Sequence, residues 1–181
     1  MLRRFLLALS LISCLGPLQG ATLERLSLDD MIEKSTAIVR GTISGRWSAM
    51  SGGTVYTNYR VQVTERWKGP AADTAEFRIP GGRANGVRQI CSGAPEPVEG
   101  KEYVLFLWTS RGGATYIIGF TQGLFELAAA GGSERIAVRA LTSETVLEPG
   151  TGKAVQSERI EMRLRDLSTR ISSNLSRGVK Q

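Results

Sequence analysis

The sequence predicts a mainly β protein: a small, partly open antiparallel β-barrel with a short N-terminal helix and an amphipathic C-terminal helix. Three observations carry this. Residues 59–70, YRVQVTERWKGP, alternate almost without fault, with Tyr59, Val61, Val63, Glu65 and Trp67 on one row and Arg60, Gln62, Thr64, Arg66 and Lys68 on the other. That period of two belongs to a half-buried strand. Similar short runs recur between glycine-rich turn signals, the rhythm of a barrel or sandwich. Near the end the period changes: Ile160, Leu164, Leu167, Ile171 and Leu175 are spaced by four, three, four and four, a single helical stripe. At 181 residues the chain makes one domain with room for a real core.

The elements follow in order. Residues 1–20 read as a secretory signal peptide. Arg3 and Arg4 form a basic start, Phe5 to Leu15 an apolar run too short to span a bilayer, and Gly16-Pro17 a break before cleavage after Gly20. A second route competes: Leu11-Ile12-Ser13-Cys14 is similar to a bacterial lipobox, in which Cys14 is acylated and becomes the first residue. Free export to the periplasm or medium is the preferred route and a lipid anchor the alternative, so membrane association is expected only if Cys14 is acylated. Either way Cys91 has no intramolecular partner, and the exported domain, residues 21–181, must be held by its core and not by disulfides.

Ser27 followed by Asp29 and Asp30 is a helix start, and Leu28, Met31 and Ile32 give it an apolar stripe; the helix is expected over about 27–35. From residue 36 the period becomes two, with Ala37, Val39, Gly41, Ile43, Gly45 and Trp47 inward and Ile38 the exception. Ser51-Gly52-Gly53 turns the chain into a second long strand, about 54–68, and a third follows at 74–79. Inward glycines at 41 and 45 let the first strand coil around a corner. Residues 80–100, PGGRANGVRQICSGAPEPVEG, form a long loop with room for one short strand near 86–91. Tyr103 to Trp108 is apolar on both rows, the mark of a central strand covered on both sides. Strands are expected near 114–120, 123–127 and 134–141, closing a barrel over about 36–141. An irregular stretch then spans 142–155, and the amphipathic helix runs over about 157–176, docked onto the barrel as a lid.

STAIVRGTI, YTNYRVQVTERWKG, FRIPGG, PVEGKEYVLFL and GFTQGLFEL stand in that order over roughly residues 36–127. As an ordered set they resemble a family of uncharacterised exported bacterial proteins whose barrel is similar to the OB-like barrel of tissue inhibitors of metalloproteinases and netrin modules. The resemblance implies an OB-like fold and, as partner, another exported or envelope protein, with an extracellular protease as one candidate. Those inhibitors chelate the protease zinc through an N-terminal cysteine inside a disulfide framework. A chain starting at Ala21 or at an acylated Cys14 reproduces neither feature, and no functional residue carries over.

The composition removes much chemistry. There is no histidine, so Ser-His-Asp and Cys-His pairs are excluded along with the commonest transition-metal ligand. No Ser-x-x-Lys dyad occurs, and Gly-Lys at 100–101 and 152–153 lacks the phosphate-loop spacing. Asp29-Asp30 sits where a helix's first turn favours negative charge, a capping role. No enzyme activity, metal site or cofactor is expected; a hydrolase built on carboxylates alone is the remaining catalytic alternative. The formal charge is +6, of which Arg3 and Arg4 belong to the leader, and the remaining bias is too mild for a nucleic-acid partner.

Two binding surfaces remain. If the first three strands pair as neighbours, Arg40, Arg46, Arg60, Arg66, Lys68 and Arg78 share one outer face that could bind an anionic polymer or lipid, although a solvated sheet face is the plainer reading. The 80–100 loop is the other, with Cys91 in it either as a thiol for a partner or as a small buried hydrophobe. The expectation is an exported, non-catalytic interaction protein that reaches its partner through that loop.

Overall fold

The computed structural model describes residues 22–131, 134–142 and 144–178, so the leader and Cys14 lie outside the described residues. The chain is mainly β. It begins with β1 (Thr22–Glu24), α1 (Leu28–Lys34), and the long β2 (Ala37–Ser51) and β3 (Thr54–Lys68), then β4 (Thr74–Pro80). The small strands β5 (Gly82–Ala84) and β6 (Val87–Gln89) precede β7 (Glu102–Thr109), β8 (Thr115–Ile117), β9 (Leu124–Ala129) and β10 (Arg135–Arg139). The chain closes with β11 (Thr145–Leu147), β12 (Ala154–Val155), β13 (Ile160–Arg163) and α2 (Leu164–Gly178). Neither helix is long and apolar enough to cross a membrane.

The main sheet runs β13-β10-β9-β7-β2-β3-β4, with β8 paired to the far end of β7, and every pairing in it is antiparallel. Its β4 edge meets β8 through side chains, where Arg78 reaches Tyr116, and no backbone register joins the two among the described residues. The sheet is therefore not closed into a hydrogen-bonded barrel. β5 and β6 form a separate hairpin, and β1 pairs in parallel with β11, which pairs with β12.

β7 shows why the fold holds. Its pattern Tyr103-Val104-Leu105-Phe106-Leu107 is buried at every position. Val104 and Phe106 point to a core shared with Leu28, Met31 and Ile32 of α1 and Leu167 and Ile171 of α2. Tyr103, Leu105 and Leu107 point to the opposite core, with Val39, Ile43, Val61, Phe77 and Ile79. The expected two-sided central strand is thus present over 103–107, covered by the helices on one face and by the turned sheet on the other, whereas Trp108, expected to be covered as well, is 44% exposed at the strand's end. Ile38, out of step in the sequence, faces the helices beside Phe106. Each such side chain contributes roughly 1.5–3 kcal/mol of burial.

Three bulges re-aim the long strands. Ser44 of β2 and Thr64 and Trp67 of β3 each lack a partner where the register shifts. A bulge reverses the alternation beyond it. Trp67 consequently leaves the row of Val61 and Val63, packs against the helix-side core, and donates from its indole N–H to Ser168 Oγ at 3.1 Å. Trp47, expected inward with Val39, is 41% exposed beyond the Ser44 bulge, which corrects the simple alternation. Gly41 is needed at its bend because a Cβ there would collide with the Gln62 backbone carbonyl.

The helix ends follow their caps. Ser27 and Asp30 form a reciprocal capping box on α1, and Lys68 donates to the Ile32 and Glu33 carbonyls at 2.9 and 2.7 Å, closing its C-terminal end. The C-terminal helix starts later than its stripe suggests. Residues 160–163 extend as β13 against β10, with Ile160 and Met162 packed on the helix-side core, because the β10 edge offers their backbone groups a ladder. The stretch 142–155, expected irregular, supplies β11 and β12; its partner is the distant N-terminal strand, which no local pattern reveals.

Candidate functional site

The six basic residues of the first three strands do not form one open basic face. Arg40 pairs with Glu102 at 2.7 Å and Glu65 at 3.7 Å. Arg60 bonds Glu76 at 2.9 Å and lies 5.4 Å from the centre of the Trp47 ring. Arg66 donates to the Ala72 carbonyl at 2.8 Å, and Lys68 caps α1. Burial pushes the Lys68 ammonium pKa down, with the Glu33 charge opposing. Arg78 donates to the Tyr116 hydroxyl oxygen and sits over the Tyr56 ring at 4.3 Å. Arg46 is opposite Tyr59 in the register and so faces the other side of the sheet from Arg60. Five of the six have partners within the fold; Arg78 also lines a cavity of about 180 Å³, and Arg46, held loosely by exposed Glu99 at 3.7 Å, borders a larger one.

That cavity is a cleft of about 560 Å³ between β2, β3 and the loop after β4, bordered by Arg46, Tyr59, Arg83, Arg88, Cys91 and Glu96. The sequence builds it in steps. Ala84-Asn85-Gly86-Val87 makes a two-residue hairpin turn, with Asn85 at φ 50° and Gly86 at φ 77°. Asn-Gly is the pair best suited to two positive φ values. The hairpin is anchored to β3: the Val55 N–H donates to Gln89 Oε1 at 2.9 Å, and Thr57 Oγ1 donates to the Gly81 carbonyl at 2.8 Å. Gly82, at φ 129°, has no room for a side chain, since a Cβ would lie 2.5 Å from Thr57 Oγ1. The loop's far end is fixed where the Val98 N–H donates to the Tyr103 hydroxyl at 3.0 Å.

Anchoring puts Arg83 and Arg88 directly opposite each other, both exposed, and neither makes an ion pair among the described residues. Like charges so placed repel. Beside them Ile90 is 75% exposed, the most open large apolar side chain of the described chain, and Val87 is exposed on the same hairpin. The floor is packed: Tyr59 is buried and stacked on Phe77 with ring centres 5.2 Å apart. Burial pushes the Tyr59 hydroxyl pKa up, with the Arg46 charge opposing. Three guanidinium groups, Arg46, Arg83 and Arg88, and one carboxylate, Glu96, line the cleft, with Glu99 reaching Arg46 from outside the lining, and exposed Ile90 borders it.

Cys91 borders the cleft as a half-buried free thiol, its pKa raised by burial and then by the Glu144 charge. Glu144 lies against Gly93, where a side chain would overlap its carboxylate, so the turn closed by the Ala94 N–H to the Cys91 carbonyl packs on the segment before β11. Arg83, Arg88 and Ile90 were not singled out from the sequence. The signal available was Arg-Ala-Asn-Gly-Val-Arg: an Asn-Gly turn with arginines at equivalent flanking positions pairs them across a hairpin. Compared with protein-family models, with curated proteins and with solved structures, the chain matches none of them.

Proposed function

We propose that this chain is an exported, non-catalytic interaction protein of the bacterial envelope or secretome, and that its cleft beneath the 80–98 loop receives an acidic segment of another exported protein. One observation carries the reading: Arg83 and Arg88, opposed and without acidic partners, stand beside exposed Ile90 over a cleft of about 560 Å³. Fold stability alone does not favour that arrangement, whereas an acidic partner relieves the repulsion and covers the isoleucine. An extracellular protease is the partner class suggested by the similarity to inhibitor barrels. In this reading the bulged sheet, its β4 edge resting on β8, is an opened OB-like wall.

The alternative, an anionic polymer or lipid held by the outer arginines, has less support because Arg40, Arg60, Arg66, Lys68 and Arg78 already have partners in the fold. Co-purification from the exported fraction tests the choice. The wild type and an R60E/R66E variant are expected to retain the same partner, and an R83E/R88E variant to lose it. Loss with R60E/R66E and retention with R83E/R88E would reverse the assignment.

A further inference from the structure

Arg139 closes β10 with 9% of its surface exposed. Its guanidinium is poorly satisfied: Nη2 reaches the Glu158 carbonyl only at 3.5 Å, and Nη1 is buried without a partner. No carboxylate pairs with it. Arg25 engages Glu148 at 3.2 Å and Glu158 at 3.6 Å, and every aspartate and glutamate of the sequence falls among the described residues. Burial pushes the Arg139 pKa down, the Glu158 charge opposing and the Arg25 charge adding to it. A buried cation whose opposing carboxylate is exposed and shared with another arginine is poorly compensated.

The Thr121 hydroxyl oxygen is also buried and unpartnered. Thr121 and Arg139 both line one niche of about 20 Å³, together with Arg25, Gln122, Ser157 and Glu158, whose exposed carboxylate is drawn to Arg25. The Gln122 amide accepts from the Leu26 N–H and donates one N–H to the Glu24 carbonyl, both at 2.8 Å, which fixes its orientation beside the niche. A niche of this size holds one water-sized particle. The unpartnered buried atoms beside this space are Arg139 Nη1 and the Thr121 hydroxyl, and the charged groups that line it are two guanidinium groups, Arg139 and Arg25, and one carboxylate, Glu158.

We infer that Arg139 and Thr121 hold one small monovalent anion, of chloride size, in this niche. A water would accept a hydrogen bond there but leave the charge unmatched; an anion supplies both. Bound, it ties β10 to the 118–123 turn and to the segment before β13. The site is separate from the cleft and does not depend on the proposed partner.

Thermal unfolding in sodium chloride and in sodium gluconate, at one ionic strength, tests it. The wild-type midpoint is expected to rise by roughly 2–4 °C in chloride once the anion exceeds its dissociation constant about fivefold. T121V should shrink the difference and R139M remove it. Should R139M fail to fold, crystals of the wild type soaked in bromide decide: an anomalous peak between Arg139 and Thr121 supports the site. Equal midpoints in the two salts, or a niche holding only water after the soak, would overturn it.

Discussion

Arg83 and Arg88 face each other as direct cross-strand partners on an exposed two-stranded hairpin, and a third arginine bordering the same cleft, Arg46, makes only a long ion pair with Glu99, at 3.7 Å. Directly opposed like charges destabilise a strand pair by roughly 0.2–1 kcal/mol. Replacing one arginine by a strand-favouring neutral residue separates stability from binding. R88T is expected to raise stability in urea by that amount while weakening partner capture. A variant that is less stable and still binds would contradict the reading of this pair.

The C-terminal helix belongs to the core. Leu167 and Ile171 are fully buried against α1 and β7, and Asp29 of α1 receives both Arg170 Nε at 3.2 Å and Arg170 Nη2 at 3.1 Å. L167A and I171A are each expected to cost about 2–5 kcal/mol in chemical denaturation, the range for emptying a well-packed site. D29N, removing only an exposed pair, should cost no more than about 1 kcal/mol. Near-neutral L167A and I171A would show that the helix is not docked.

Cys91 is expected to react slowly. Its raised pKa keeps the thiol protonated at neutral pH, and the thiolate is the reactive form. Alkylation by iodoacetamide at pH 7 should be much slower in the native protein than in denaturant and should accelerate above pH 9. Fast native alkylation at pH 7 would point to an activated thiol.

Alkaline stability follows from the buried tyrosines. The folded pKa of Tyr59 and of Tyr103 is raised above the ordinary 10.0, by burial first in both cases. Below pH 10 both states hold the phenol protons, and the contribution is fully present. Above it the unfolded chain releases them first, so stability falls as pH rises through the folded values. Unfolding free energy measured from pH 9 to 11 should decline, and Y59F should flatten the decline. An unchanged slope in Y59F would mean that Tyr59 is not the titrating group.

Legibility followed the range of the interaction. The capping box at Ser27 and Asp30, the strand over 54–68 and the two-sided strand at 103–107 were all readable because their signals lie in neighbouring residues, while the exposure of Trp108 was not. Alternation failed at Trp47 and Trp67, where the bulges at Ser44 and Thr64 reversed the faces beyond them; an extra residue leaves no mark in composition. Helix and strand were confused at Ile160–Arg163 because the stripe continues through it and only the β10 edge decides. The arginines of the first three strands were visible as a row, yet their carboxylate, carbonyl and aromatic partners come from β4, β7, β8 and α1, out of local view. The cleft itself needed the hairpin fold of the 80–98 loop, for which Asn85-Gly86 was the one local sign.

The most direct test replaces single residues by a photo-crosslinking amino acid in exporting cells, once at Ile90 and once at Arg60. Illumination is expected to link one exported protein from position 90, with the adduct lost when R83E/R88E is added, and to link nothing from position 60. Adducts from position 60 and none from position 90 would place the working surface elsewhere and contradict the assignment of the cleft.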